Sequence, residues 1–326
     1  MRVTGRYLAA AALTCALTAT LFAVAAAADN YPDRPVTVVV PFPPGASNDL
    51  LARFEADVLS RALHGTFVVE NKPGAGGEIG ISYAARADAD GYTLLHAPSI
   101  ITLLPFVKKD VSYDLKKDFA PVTLMGFTEF CLVVSPSLPV NSVADLIALA
   151  KAQPNALTYA SVGNGSPHQI FAEQFKLATG TSIRHIPYKG SVQGLTDVAS
   201  GNVSMEFVDA TPALPLIQAG KLKLLAVLSK TRDPDMPDIP ALAEAVPGYE
   251  AQSWQGFFAH SGTPKDIIDR LNTALVAALK TPETAKRFKD LGIIAKWNTP
   301  EEFSAFITDQ SAKWGKVIHD AGIPME

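Results

Sequence analysis

The side chains in this sequence with the readiest chemistry are six histidines and two cysteines, and their spacing argues against most of it. His64, His96, His168, His185, His260 and His319 contain no H-x-x-x-H pair, and Cys15 and Cys131 no C-x-x-C, the separations that set two ligands on one metal. Cys131 lies in an apolar strand-like run, CLVVS, which suits a packed thiol better than a nucleophile. Ser166 and His168 are near neighbours, but residues i and i+2 at a helix start point to different faces, and no G-x-S-x-G elbow occurs. His168 reads as a helix-start residue that lines a cleft or caps. No metal, cofactor or catalytic residue is expected.

The backbone offers more. VTVVVPFPPGASND (36–49) runs from a β-branched strand through a Pro/Gly turn into a helix that opens on Ser47, Asn48 and Asp49. Helix N-termini leave N–H groups unpaired and favour negative charge, and in open α/β sheets such turns face the ligand crevice. Plain N-capping by Ser47 or Asn48 is the alternative. LTYASVGNGSPHQIFAEQF (157–175) repeats the logic, with Gly163, Asn164 and Gly165 before a Ser166 N-cap and Pro167 at the first helical position. Two glycines flanking Asn164 let backbone approach a ligand closely. Across a cleft, two such helix starts suit a molecule with carboxylates, at one end or at both. Hydrogen bonds to a charged group contribute about 1.5–3 kcal/mol each, so four or five supply the roughly 8 kcal/mol of a micromolar binder before ordering costs, with no arginine clamp. A third turn, ENKPGAGGEIG (70–80), fails the dinucleotide spacing: Gly74 and Gly76 require a glycine where Ile79 stands.

Other candidates sit at strand ends: Pro98 and Ser99 after YTLLHA, Tyr188 and Lys189 after IRHI, Asp209 and Thr211 after VSMEFV. Asp209 either caps a helix from Pro212 or accepts a hydrogen bond from a ligand amine or protonated acid. Phe42 and Trp254 either pack in the core or stack on a ligand.

The elements that must position these residues alternate: strand-like runs at 36–40, 66–71, 92–97, 131–135, 157–162, 183–188, 203–208 and 223–228 are separated by helix-period segments, which implies parallel α/β sheets. Runs at 122–125 and 130–134 flank Gly126. The stretch after Ala97 reads as a loop and then a charged surface crossing, KKDVSYDLKKDFAPV. Late in the chain SWQGFFA (253–259) is strand-like, and only helices are expected beyond it. The layout implied is an α/β fold of two lobes: a discontinuous first lobe (29–128 and 254–326) and an inserted second lobe (129–253). Two hinge segments near 126–131 and 251–257 join them, with a ligand cleft between.

Arg2 and Arg6 before an Ala/Leu-rich run, then Ala26, Ala27 and Ala28, read as a secretory signal cut after Ala28. Its removal takes away those two arginines and no acid, moving the formal net charge from −4 to −6. The remainder carries no basic block for nucleic acid, and with Cys131 alone it forms no disulfide.

Seven segments in one order, YPDRPVTVVVPFPPGASND, VVENKPGAGGEIG, DGYTLL, LTYASVGNGSPHQIFAEQF, HIPYKGS, ALPLIQAGKLKLLAV and SWQGFFAHSGTP, resemble the solute receptors of the tripartite tricarboxylate transporter family, the Bug-type periplasmic binding proteins. The resemblance runs from Tyr31 to near the C-terminus. It implies a type II periplasmic binding protein fold closing over a small carboxylate: a di- or tricarboxylate, an acidic amino acid or an aromatic acid. It also implies no catalysis, a periplasmic location, and delivery to a large and a small integral membrane transporter subunit by a monomer. Carried over by motif, the carboxylate contacts fall on Ala46, Ser47 and Asn48 in one lobe and on Ser161, Gly163, Asn164 and Ser166 in the other. The chain departs from the family pattern in three places: Ala46 follows Gly45 where a second glycine is common, the acid is Asp209 rather than at Val208, and His260 replaces a proline. A periplasmic hydrolase or lyase using Ser166 and His168, and a receptor serving a signalling protein, are the alternative readings.

Overall fold

Strand β1 (Val36–Val40) is buried along nearly its whole length, as expected of β-branched residues in a strand covered on both faces. In the computed structural model, which describes residues 31–45, 47–234 and 236–325, β1 pairs in parallel with β2 (Phe67–Asn71) and β3 (Thr93–Pro98). The signal segment and Ala46 lie outside the described residues.

β4 (Phe119–Thr128) ends where the chain passes, through Glu129, into a second sheet. That sheet is built from β5 (Phe130–Val134), β6 (Thr158–Ser161), β7 (Arg184–Pro187), β8 (Met205–Asp209) and β9 (Lys223–Val227). The chain then returns to the first sheet through β10 (Ser253–His260) and β11 (Ile293–Ala295). The orders are β11-β4-β10-β3-β1-β2 and β7-β6-β8-β5-β9.

Three expectations about the strands need correction. The sheets are mixed: β10 runs antiparallel to β3 and β4, β11 antiparallel to β4, and β5 antiparallel to β8 and β9. Strands that carry the chain between sheets need no crossover helix, so nothing forces them parallel. β4 runs straight through Gly126, where a Cβ would stand 2.6 Å from the Ile294 carbonyl oxygen, so the glycine admits β11. β11 is itself a strand where only helices were expected.

The segment after β3 is a helix, Ile100–Val107, not a loop. It lacks a polar face because it lies between two cores: Ile101 and Leu104 pack with Trp254 and Phe258, whereas Leu103 and Val107 pack with Phe130 and Phe171. A helix apolar all round gives no amphipathic signal. The last long helix, Pro300–Asp320, behaves similarly. Thr299 and Glu302 form its capping box; Phe303 and Ile307 then join the core beside the first sheet, and Trp314 and Ile318 the core beside the second.

Candidate functional site

The turn after β1 is organised by an acid. Asp49, in the first turn of helix Ser47–Ala62, is buried; its Oδ2 accepts from the Gly45 amide (2.8 Å) and Arg53 Nε (3.0 Å), and its Oδ1 from Asn71 Nδ2 (2.9 Å). Burial pushes its pKa up, but the bonds from Arg53, Gly45 and Asn71 prevail and hold it below the ordinary carboxylate value. Asn71 Nδ2 also donates to the Phe42 carbonyl (3.0 Å), fixing the turn. The Phe42 ring is half-buried beside Gly77, whose absent side chain leaves it room. Asn48 Oδ1 is buried without a partner among the described residues.

At the end of β3, the amide of Ser99 donates to the Trp254 carbonyl (2.8 Å) and its hydroxyl meets Ser253 Oγ at 2.8 Å, fully buried. Ser99 therefore fastens the turn to β10, while Pro98 pairs opposite Gln255. Trp254 packs against Phe258, Phe303 and Phe306 with no exposed surface, the core alternative of the two open to it.

In the second sheet, β6 ends at Ser161 and the chain turns through Gly163 (φ 110°) and Gly165 (φ 72°) into helix Pro167–Thr179. Both dihedrals lie where only glycine is unstrained. The Ser166 hydroxyl donates to the Gly163 carbonyl (2.7 Å) and accepts the Gln169 amide (3.4 Å) as N-cap. A Cβ on Gly165 would stand 2.6 Å from Val107, so this loop, which also carries Asn164, abuts the helix that follows β3. The Tyr188 amide donates to the Ser161 carbonyl (2.9 Å). Its hydroxyl donates to Asp197 (2.6 Å) and is pushed up to about 12, by burial first and then by that carboxylate.

Ser166 and His168 do not meet. His168 Nε2 lies 3.3 Å from Asp209 Oδ2 and 3.5 Å from Ser191 Oγ, and its ring stands edge-on to Phe130 at 5.2 Å. His168 Nδ1 is buried without a partner among the described residues. Asp209 occupies the N-cap position of helix Ala210–Gln218 with no side-chain cap bond. The helix starts before Pro212, and the carboxylate turns to His168 instead.

At the edge of the first sheet away from β1 and β3, Thr211 and Leu214 face Ile294 and Trp297 across a groove of about 600 Å³. Thr211 and Leu291 touch there, Oγ1 to O, at 3.4 Å. Of the candidates named from the sequence, Thr211 lines it and the others do not.

The family described as tripartite tricarboxylate transporter family receptor matches residues 51–323. This chain belongs to that family. The receptor is 35% identical to protein BugT of Bordetella pertussis over 92% of this chain and 93% of BugT. In structure it resembles Rpa4515 of R. palustris with adipate (TM-score 0.80, 37% identity, 91% of this chain and 100% of that one). It also resembles the periplasmic binding protein BugD (TM-score 0.76, 32% identity, 91% and 100%). MatC from Rhodopseudomonas palustris with bound malate superposes at TM-score 0.75 with 27% identity over 88% and 100%. The mixed α/β two-sheet architecture is that of these solute-binding proteins, and the receptor is a solute-binding protein of the same kind. No helix among the described residues is long and apolar enough to cross a membrane.

Two groups at the candidate site were not foreseen from the sequence. His185, on β7, stands 2.6 Å from Ser161 Oγ and stacks on Tyr159 at 4.9 Å. Glu206, on β8, is fully buried, and both its carboxyl oxygens lack partners among the described residues. The parallel register that sets Tyr159 opposite His185 and Ala160 opposite Glu206 creates both relationships; an unpartnered acid inside the run VSMEFV was the only available signal.

Proposed function

We propose that this receptor captures a small dicarboxylate between two lobes, 29–128 with 254–326 and 129–253, and delivers it to a large and a small membrane subunit of a tripartite transporter. Export by the N-terminal segment, a periplasmic location and a monomeric state belong to the same reading. The observation that carries it is the loop Gly163–Ser166: a helix start with two left-handed glycines, buttressed from below by side chains and abutting the helix after β3. The Gly163, Gly165 and Ser166 N–H groups are engaged within this loop, so what it offers an anion is the positive end of helix Pro167–Thr179. Relatives with bound adipate and malate support a ligand with two carboxylates. The proposed contacts are Phe42, Ala46, Ser47, Asn48, Pro98, Ser99, Ser161, Gly163, Asn164, Ser166, His168, Tyr188 and Asp209. Ser99 contributes through its turn, since its hydroxyl is engaged by Ser253. Absence of turnover fits a site in which Ser166 and His168 are bonded to different partners.

Thermal unfolding with C4–C8 dicarboxylates tests the reading. Ligand present at a hundred times Kd stabilises a native state by about 2.7 kcal/mol, so a true ligand raises Tm by several degrees. If no dicarboxylate moves Tm of ligand-stripped protein, the proposal fails.

A further inference from the structure

Ser161, Gln169 and His185 meet beneath the ligand loop, and their hydrogen bonds favour one arrangement of protons. The Gly165 amide donates to Gln169 Oε1 at 2.7 Å. That bond makes Oε1 the acceptor, so the donor end of the same amide, Nε2, lies 3.4 Å from His185 Nδ1. Two donors facing each other make an unfavourable contact. Nδ1 is therefore bare, and the neutral imidazole carries its proton on Nε2. From there it donates to Ser161 Oγ at 2.6 Å. Ser161 Oγ also accepts the Gly163 amide (3.1 Å) and sends its own proton to the Gly163 carbonyl (3.2 Å). Both loop glycines are thus held by one relay that passes through His185.

This tautomer also removes Ser161 and His185 from nucleophilic chemistry, because a general base needs a bare nitrogen facing the hydroxyl. The close serine and histidine are a scaffold.

We propose that His185 is a positioning residue for the ligand loop, competent only as the neutral Nε2–H tautomer, so that protonating it releases both the loop and the carboxylate ligand. The ligand half rests on the carboxylate reading above. A proton on Nδ1 faces the Gln169 NH2 group. Rotating that amide relieves the clash but turns its NH2 toward the Gly165 N–H, and the loop loses its anchor either way.

Burial of the ring, more than the groups around it, favours the neutral form. From β6 it meets the Tyr159 ring and Ser161. From helix Pro167–Thr179 it faces Gln169, Glu173 and Lys176; Glu173 favours the imidazolium, but its carboxylate is engaged by Tyr159 OH (2.6 Å) and Lys176 Nζ (2.7 Å). Arg184 on the same strand donates to the Asn155 carbonyl. Burial is the largest influence and lowers the His185 pKa, with Lys176 acting in the same sense and Glu173 against it.

The test has a ligand-free arm and a ligand arm. Imidazole nitrogen shifts of ligand-free protein at neutral pH should report the Nε2–H tautomer for His185; the Nδ1–H tautomer overturns the inference whatever binds. Adipate affinity is then measured by calorimetry from about pH 7.5 to about pH 5 in wild type, His185→Gln and Gln169→Glu. Wild type should lose about tenfold relative to His185→Gln, the loss expected for one hydrogen bond to a charged group, because glutamine donates to Ser161 without titrating. Gln169→Glu should suppress the acid-side loss, since its carboxylate accepts from both Gly165 and an imidazolium. Superimposable wild-type and His185→Gln profiles, or tighter wild-type binding in acid from simple charge attraction, overturn the proposal. If adipate and other dicarboxylates bind at no pH, the carboxylate reading falls and the ligand half with it, while the tautomer is still decided by the spectra.

Discussion

Glu55 and His96 are both fully buried, with His96 Nδ1 2.9 Å from one carboxylate oxygen and 3.1 Å from the other. His96 Nε2 meets Gln255 Oε1 at 3.2 Å, and Gln255 Nε2 donates to Thr128 Oγ1 at 3.0 Å. The relay joins the helix that follows the turn after β1, the strand that ends at Pro98, and the two strands through which the chain passes between sheets.

Truncating one member strands the other in the core. Breaking a buried pair costs about 3–5 kcal/mol, whereas replacing both partners with apolar residues is often neutral. Glu55→Ala should lose stability in that range by urea unfolding, and Glu55→Leu with His96→Leu should recover most of it. A loss below about 1 kcal/mol for Glu55→Ala would mean that the pair contributes as little as a surface bridge.

Gly165 is constrained twice, by a left-handed backbone and by Val107 across the loop. Gly165→Ala should cost about 1–2 kcal/mol of stability from the dihedral and weaken ligand binding by more than tenfold through the displaced loop. Adding Val107→Ala removes the steric conflict and should recover part of the affinity but little of the backbone strain. Full recovery of both quantities would assign the whole effect to packing.

Asp209 places a carboxylate, its side chain 30% exposed, beside His168 at the candidate site. For a ligand that is purely anionic this is a like charge. Asp209→Asn should tighten dicarboxylate binding by about 2–5-fold at low salt, with the gain shrinking as salt screens it. Weaker binding in calorimetry would show that Asp209 accepts a hydrogen bond from the ligand or holds His168 in place.

Glu206 is buried against Gly194, where a Cβ would stand 2.8 Å from its carboxylate. Burial, reinforced by Asp209, raises its pKa to about 8. The native state therefore keeps a proton that the unfolded chain releases above about pH 4.5. The contribution of Glu206 to stability is fully present below that pH and is lost as pH rises to about 8, at up to about 1.4 kcal/mol per pH unit. Glu206→Gln, which cannot ionise, should gain stability over wild type progressively across this window in urea titrations at fixed pH. Parallel curves would place an undetected partner on Glu206.

The sequence carried the local elements well because their signals are local. Ser166 with Pro167 announces a helix start within two residues, and the β-branched run of β1 announces a covered strand; the motif order also carried the family. The helix Ile100–Val107 escaped because two cores take up its apolar surface, and β11 because three residues give no periodicity.

The sequence by itself determined the two turns that end β1 and β6, since glycine, proline and capping residues act on their own backbone. Only the tertiary structure decided what each polar side chain does there. Ser161 meets His185 across 24 residues, Glu55 meets His96 across 41, and His168 turns from Ser166 to Asp209. Those pairings follow from strand register and from the low polarity of the space around them. A buried polar group must take whatever partner the packing brings within about 3 Å, and nothing in its own neighbourhood of sequence names that partner.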